Sequence, residues 1–467
     1  MNIYAVILAA GKGTRMKSDK PKVLHEVLYK PMVQHVIDEL KKLGVTQIVT
    51  VVGHRAEMVK EVLKNENVDF ALQAQQLGTG HAVLQASELL EGKEGLTLVL
   101  NGDAPLIRKE TLQRLIQTHV DGGHHATMMT CNLPITTPFG RVIRDESGNV
   151  RCITEYKDAT EQERLITEMN VGEYCFDNQY LFDALRQIKS ENAQHEYYIT
   201  DLATVMNGMG LKVGTCMIEN FDEVGGINDR VALAESEEIL KLRINKEHLL
   251  NGVGIMDIHN TYIGRDVIIG EETIIEPGCV IKGNTVIGKR CHIGPYTQLD
   301  HAIIEDDVMI QYSSISDSTV KRGTDIGPYT RLRNGCIIRE GVHIGNFVEM
   351  KKTDFGAHSK CAHLSYLGDA VVGENVNIGC GTITCNYDGA NKFQTIIKDN
   401  AFIGCNSNLV APVTVEENGF VGAGSTITND VPSDAFAIAR ARQVNKEGYA
   451  SVLKEKRDEI KKNRNKN

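Results

Sequence analysis

In the second half of the chain a bulky aliphatic residue returns at every sixth position. The first series runs Ile263, Ile269, Ile275, Ile281, Ile287, Ile293 and Leu299. After a break it resumes as Val320, Ile326, Leu332, Ile338, Ile344 and Met350, and again as Ile397, Ile403, Leu409, Val415, Val421 and Ile427. A period of six is neither the 3.6 of a helix nor the 2 of a strand. It fits a triangular parallel coil of three short strands, one inward aliphatic per face, with glycine easing many corners as in Ile263-Gly264, Ile287-Gly288 and Ile403-Gly404. At 18 residues per coil, Ile263 to Val431 predicts roughly nine to ten turns and a prism on the order of 45 Å long. The pattern leaves the hand of the coil open, and the general crossover rule favours the right-handed form.

Three stretches break the rhythm: Gln311 to Thr319, Lys351 to Tyr366, and Cys385 to Gln394. Each is expected to be an insertion that projects as a loop, where a rigid scaffold displays binding groups. Before residue 229 the pattern changes. Apolar strand candidates Tyr4–Leu8, Gln47–Val52 and Thr97–Leu100 alternate with helical stretches Met32–Leu43 and Ala56–Leu63, which predicts an α/β fold around a mostly parallel, Rossmann-like sheet. The expected organisation is a first domain over 1–228, a linker helix over 229–250, and a β-helix domain over 251–467. From Lys446 the chain is rich in Lys and Arg interleaved with acids, which reads as a solvated helix or frayed tail.

Composition narrows the function. The 467 residues carry 51 Lys+Arg against 61 Asp+Glu, a formal charge of -10. That balance, with no Trp and 5% aromatic residues, argues against a nucleic-acid partner. The apolar run Ile3–Ala10 is too short to span a membrane and lacks the basic flank of a signal peptide, so no membrane insertion is expected. Eleven cysteines without CxxC spacing indicate neither a disulfide scaffold nor a zinc ribbon and fit a reducing cytoplasm.

Two features of the first domain carry chemistry. Leu8-Ala9-Ala10-Gly11-Lys12-Gly13-Thr14-Arg15-Met16 follows the first strand, where backbone N–H groups can cradle phosphate. It is neither a dinucleotide fingerprint nor a P-loop, because Met16 and Gly13 stand where those motifs need Gly and Ser/Thr. Arg15 and Lys22 add cations beside it. Asn101-Gly102-Asp103 places a carboxylate at the end of another strand, where open α/β sheets bind ligands and where a hard oxygen suits Mg²⁺; alone it reads better as a helix cap. Together they make a minimum set for nucleotidyl transfer, which depends on positioning and charge neutralisation.

The run Leu8–Met16 with Pro21-Lys22, then Gln76-Leu77-Gly78-Thr79-Gly80-His81-Ala82, Gly102-Asp103 with Pro105-Leu106, and Gly226-Ile227-Asn228-Asp229-Arg230, resembles the sugar-1-phosphate nucleotidyltransferases. Joined to a hexapeptide solenoid carrying His363–Asp369 and Asn386-Tyr387-Asp388-Gly389, the chain resembles, end to end, the bacterial bifunctional N-acetylglucosamine-1-phosphate uridyltransferase and glucosamine-1-phosphate acetyltransferase family. The resemblance implies a left-handed parallel β-helix, a homotrimer with acetyltransferase sites between neighbouring subunits, Mg²⁺, and the substrates UTP, acetyl-CoA, glucosamine 1-phosphate and N-acetylglucosamine 1-phosphate. It implies that Leu8, Ala9, Ala10, Gly11, Gln73, Gly78 and Thr79 hold the uridine nucleotide, that Arg15 and Lys22 contact phosphates, and that Asp103 and Asn228 carry the metal. Gly140, Glu155 and Asn170 would contact the N-acetylglucosamine part.

In the solenoid the resemblance assigns His363 as general base, a role imidazole fills well near neutral pH. Arg333, Lys351, Tyr366 and Asn377 would take the amino sugar phosphate. Cys380, Asn386, Tyr387, Cys405, Ala423 and Arg440 would take acetyl-CoA. Relatives commonly have Ala at the place of Cys380 and Ser at that of Cys405, so these thiols read as small groove contacts. Asn170-Val171-Gly172 stands where relatives often have Asn-Thr-Gly, and His195 where Gly is common, which touches fine substrate contacts. Two other readings are open: a nucleotidyltransferase whose β-helix only regulates or oligomerises, and a scaffold with a vestigial glycine turn.

Overall fold

The structure is a computed structural model and describes residues 1–464. The chain forms two compact units, Met1–Glu247 with Ile263–Arg265, and the remainder.

The core of the first unit is a twisted sheet built from β1 (Ile3–Ala9), β2 (Gln47–Val52), β3 (Asp69–Leu72), β4 (Leu96–Asn101), β5 (Ala126–Asn132), the hairpin strands β6 (Arg141–Arg144) and β7 (Val150–Thr154), β8 (Glu168–Asp177) and β9 (Val213–Ile218). The main order is β9-β5-β8-β4-β1-β2-β3. All neighbours are parallel except β8, which runs antiparallel to β4 and β5. The apolar run of β1 is buried on both faces because helices cover both. Tyr4 and Val6 pack with Val49, Val51 and Val99 on one side, and Ala5, Ile7 and Ala9 with Ile48, Leu98 and Leu100 on the other. The carboxyl ends of β1, β2 and β4 therefore open at one sheet edge, and the glycine turns leave from there. Helix Arg230–Leu250 follows, with Asp229 as its cap: one carboxylate oxygen accepts from the backbone N–H of Val231 and Ala232, each at 3.0 Å.

The second unit is a parallel coil with three faces. One face is a nine-stranded sheet, and the other two join into a nineteen-stranded one. Every aliphatic residue of the three six-residue series is buried. Each face stacks its own column, for example Ile269, Ile287, Ile304, Val320, Ile338, Phe355, Val372, Ile397 and Val415 on the nine-stranded side. Two residues before many inward aliphatics stands a buried Thr or Ser whose hydroxyl donates to a carbonyl of the next coil, as from Thr273 to Gly288 (2.8 Å) and Thr330 to Gly345 (2.7 Å). These hydroxyls satisfy corner carbonyls that the short strands leave unpaired.

Two expectations about the coil need correction. The first is the number of turns. The face that begins at Gly254–Ile255 carries a strand in each of eleven successive coils, ending at Phe436–Ala437, so the coil starts earlier and closes later than Ile263 to Val431. The second concerns the rhythm breaks. At Gln311–Thr319 and Lys351–Tyr366 no loop projects: Ile310, Ile315 and Val320, and likewise Met350 and Phe355, remain buried at a spacing of five. These faces are one residue short. A contraction and an insertion disturb a six-residue count alike, but only the insertion adds backbone. Cys385–Gln394 is a true insertion, a hairpin closed by the antiparallel bridge Tyr387↔Lys392 and by Phe393 N–H to the Asn386 carbonyl at 2.9 Å. The C-terminal helix Tyr449–Arg464 buries no side chain.

Candidate active sites

At the open sheet edge of the first unit, the turn after β1 is fixed by local sterics. Gly13 adopts φ 61°, and a Cβ there would stand 2.6 Å from the Lys22 Cβ, so only glycine lets the two segments touch. Lys22 begins the short helical turn Lys22–Leu24 and points its ammonium at two groups remote in sequence. It forms an ion pair with Asp103 and donates to Asn228 Oδ1 at 3.0 Å. Backbone bonds brace this meeting: Gly102 N–H to the Leu8 carbonyl and Ile227 N–H to the Asp103 carbonyl, both 3.0 Å. The two expected metal ligands thus converge on one point with a cation at it. An anionic and a neutral hard oxygen suit a divalent ion whose remaining ligands come from phosphate and water, so the residues fit Mg²⁺. Among the described residues no cluster of three or more His, Cys, Asp or Glu is arranged for a metal. Arg15 lies exposed on the turn Thr14–Met16.

The second glycine turn borders the same edge. Gly78 has φ 117°, and a Cβ would come within 2.5 Å of the Tyr197 carbonyl. Gln73 is buried; its amide donates to the Gly78 carbonyl at 3.1 Å and lies 3.0 Å from His81 Nδ1. Thr79 Oγ1 accepts from the Ile199 N–H at 3.0 Å, which ties the turn to the segment after Tyr198. Gln73, Gly78 and Thr79 are therefore one hydrogen-bonded cluster.

Across the sheet, Gly140 packs so closely that a Cβ would lie 3.3 Å from Glu155 Oε1, and its carbonyl accepts from the Asn170 N–H at 2.9 Å. Glu155 accepts from Thr200 Oγ1 at 3.0 Å, and burial raises its carboxyl above the ordinary range. Asn170 donates to the Tyr174 hydroxyl at 2.8 Å, while its own Oδ1 is buried without a partner, a free acceptor beside Gly140. The three residues expected at the sugar therefore lie together. Glu155 also borders a cavity of about 470 Å³ with Asp158, Tyr198 and Asp201, which holds none of the glycine-turn residues. Burial, then the nearby carboxylates of Glu155 and Asp158, push Asp201 up to about 6.

Arg141 and Glu173 gave no sequence signal. Arg141, fully buried, donates to the carbonyls of Ile135, Thr137 and Phe139 at 2.6–2.7 Å and so anchors the loop before Gly140. Asn101 donates to Glu173 Oε1 and to the Gly172 carbonyl, both at 3.2 Å, joining the end of β4 to the irregular middle of β8. Complete burial raises the Glu173 carboxyl well above its ordinary value.

In the second unit the expected residues gather around the two nine-residue strands His343–Lys351 and Lys360–Gly368. Parallel pairing sets Arg333 beside Lys351 and Asn346 beside His363, whose Nδ1 lies 3.0 Å from Asn346 Oδ1. Arg333 is braced by Glu349 Oε1 at 2.7 and 2.9 Å. A Cβ on Gly368 would stand 2.4 Å from the Tyr366 hydroxyl and 2.7 Å from Asn386 Nδ2, so Tyr366 and Asn386 meet over that glycine. The hairpin Asn386–Phe393 folds Lys392 back onto Lys351. Their contact, followed by desolvation and the charges of Lys392 and Arg333, lowers the Lys351 ammonium from its ordinary value. Arg333, Lys351 and Lys392 make a triple cationic group suited to a phosphate dianion. Lys392 was invisible in the sequence because it lies in an insertion whose fold no periodicity dictates. Asn377, Cys380, Cys405 and Ala423 lie on the coils that follow, with Arg440 against Gly424, while Tyr387 is exposed on the hairpin.

A nucleotidyl transferase joined to a left-handed parallel β-helix is the class that this fold and these sites define. Comparison with known families agrees: the Nucleotidyl transferase model matches residues 4–236, and the model of the EIF2B subunit epsilon LbH domain matches residues 248–350. The left hand runs against the preference of open-sheet crossovers. The curated relatives include the Bifunctional protein GlmU of Exiguobacterium sibiricum, 51% identical over 96% of this chain and 100% of its own. Those of Geobacillus sp. (51%, over 97% of this chain and 99% of its own) and Clostridioides difficile (50%, over 99% and 100%) are similar. The chain belongs to the GlmU family. As a member it is a bifunctional transferase of UDP-N-acetylglucosamine synthesis.

Proposed function

We propose that the β-helix unit transfers acetyl from acetyl-CoA to the amine of glucosamine 1-phosphate, and that the first unit then transfers uridylyl from UTP to the product, releasing pyrophosphate. The support is the division of charge. Each unit houses its own cationic group, Lys22 with Arg15 in one and Arg333, Lys351 and Lys392 in the other, and the strand paired with that of Lys351 carries His363.

For acetyl transfer, Arg333, Lys351 and Lys392 hold the sugar phosphate, and Tyr366 and Asn377 orient the ring. His363 Nε2 removes a proton from the amine as it attacks the thioester carbonyl, while the bond from Nδ1 to Asn346 fixes the ring. Asn386, Tyr387, Cys380, Cys405, Ala423 and Arg440 line the path of the CoA.

For uridylyl transfer, Leu8 to Gly11, Gln73, Gly78 and Thr79 hold the nucleotide, and Gly140, Glu155 and Asn170 hold the N-acetylglucosamine moiety. Lys22 and Arg15 neutralise phosphate charge during in-line attack on the α-phosphorus. Asp103 and Asn228 are the residues that would hold Mg²⁺, which when bound supplies charge neutralisation and alignment. The free acceptor of Asn170 is matched to an N-acetyl N–H.

A cytoplasmic homotrimer belongs to the same reading. Among the described residues no helix is long and apolar enough to cross a membrane. The exposed rings of Tyr296, Tyr312, Tyr329 and Phe347 stack along one corner at 5.6–6.0 Å, an apolar strip of the kind that copies of a chain bury. Thiol release from acetyl-CoA and pyrophosphate release from UTP, followed in wild type, His363→Ala and Asp103→Asn, test the assignment. The first change is expected to remove acetyl transfer alone and the second uridylyl transfer alone. Loss of both under either change in a folded protein refutes the two-site reading.

A further inference from the structure

The roles above leave one feature of the acetyl-donor path without a task. Strand pairing sets Cys361 beside Ile378, Ile378 beside Ile403, and Ile403 beside Val421. Two residues further along each coil, the same register brings His363, Cys380, Cys405 and Ala423 to one corner on four successive coils. Bonds between the coils hold it: Ser365 Oγ to the Gly379 carbonyl at 3.4 Å, then Asn406 N–H to the Cys380 carbonyl and Gly424 N–H to the Cys405 carbonyl, both 2.7 Å. With coils about 4.8 Å apart, Cys380 is the neighbour of His363 along this corner and Cys405 the next. The other thiols of the unit are buried in its core at Cys279, Cys291, Cys336 and Cys361, or lie off the corner at Cys385; Cys380 is half-buried and Cys405 exposed.

This placement matters because of what the site handles. If acetyl-CoA lies along this corner, as proposed above, the inference that follows depends on it. His363 must reach the amine that attacks the thioester carbonyl. The proposed CoA contacts run from the His363 rung towards Ala423 and Arg440, so the CoA sulfur, one bond from that carbonyl, lies towards the Cys380 rung. Each turnover leaves free CoA thiol at the same place, and the disulfide of that thiol carries the same nucleotide and the same arm. Recognition by the groove raises the local concentration of its S–S bond beside a protein thiol.

We propose that Cys380 is a covalent capture site for CoA disulfide. The Cys380 thiol gives up its proton to solvent or to His363, and its sulfur attacks one sulfur of the disulfide. The S–S bond breaks, one CoA leaves as thiolate, and Cys380 is left in a mixed disulfide with the other CoA seated in its own groove. The disulfide is the only oxidant required, and a second thiol reverses the step. The adduct fills the donor path, so acetyl transfer stops until a reductant arrives while uridylyl transfer continues. Chains with Ala at this position would lack the device.

The full-length protein, its Cys380→Ala variant and its Cys405→Ala variant are incubated with CoA disulfide or with hydroxyethyl disulfide, which has no nucleotide. Intact mass, peptide mapping and both activities are then read, each against its own untreated sample. A single CoA on Cys380 is expected in wild type and Cys405→Ala and none on that groove in Cys380→Ala, with acetyl transfer lost in proportion to the adduct, protected by acetyl-CoA and restored by dithiothreitol. Capture on Cys405 or Cys385 instead, or an adduct that leaves acetyl transfer intact, overturns the proposal. So does the absence of an adduct where acetyl-CoA still shields Cys380 from iodoacetamide, an outcome that leaves the donor path itself standing. Equal capture of both disulfides, unprotected by acetyl-CoA, instead overturns the placement of the acetyl donor and the proposal with it.

Discussion

Phe355 is the one aromatic side chain among the inward-pointing residues of the nine-stranded face within the described residues, and it is 0% exposed. It sits between Ile338 and Val372 on a coil one residue short, immediately after the strand that carries Lys351. Replacing it with Ala removes a ring that neighbouring coils, held at fixed spacing by their backbone bonds, cannot close around. A buried Phe→Ala change of this kind costs about 3–5 kcal/mol. For a unit of this size each kcal/mol lowers the midpoint by about 2–4 °C, so the expected drop is about 6–20 °C. Each coil contacts only its neighbours, so the damage centres on the coils holding Lys351, His363 and Tyr366. The assay is residual activity after graded heat pulses, with circular dichroism followed in parallel. Acetyl transfer in Phe355→Ala is expected to fail at the lower temperature while uridylyl transfer keeps its wild-type profile. A destabilisation below about 1 kcal/mol would mean that the column tolerates a void, against the dense packing inferred for it. Parallel loss of both activities would refute the independence of the two sites.

Three further outcomes follow from particular contacts. Lys392→Ala removes one of three cations from the group proposed to hold the sugar phosphate and should lower kcat/KM for glucosamine 1-phosphate about ten- to a hundredfold, chiefly through KM, leaving UTP kinetics unchanged in steady-state assays. Gly78→Ala forces a Cβ to 2.5 Å from the Tyr197 carbonyl at φ 117°, and should abolish uridylyl transfer but keep acetyl transfer; retention of both would show that the turn moves freely. Asp201 is raised to about 6 in the folded protein, so between pH 4 and 6 the unfolded chain releases its proton first and stability falls as pH rises. Asp201→Asn should therefore gain thermal stability over wild type across that window and hold the gain above it; a difference that does not change with pH contradicts the buried carboxyl.

The legible parts of the sequence were those enforced by repetition or by backbone sterics. The six-residue columns specify the solenoid because one inward residue per face is all a coil needs, and Gly13 and Gly78 mark turns that admit no side chain. What depended on convergence came through the resemblance or stayed hidden. Lys22, Asp103 and Asn228 lie on three separate turns, and nothing local says that one ammonium touches the other two. The contracted faces at Ile315 and Phe355 looked like insertions because spacing alone records that a count has slipped and not its direction. Lys392 and Glu173 were silent for opposite reasons, one in a hairpin without period, the other a carboxyl at a strand position that ordinarily takes an apolar side chain.

The corner that holds His363, Cys380, Cys405 and Ala423 also works as a ruler. Distance along it comes in whole rungs of about 4.8 Å, so the gap between the imidazole and the Gly424–Arg440 corner is an integer number of coils and not a continuous variable. A point substitution can repaint one graduation, but the length of the corner can change only by gaining or losing an entire turn of the chain.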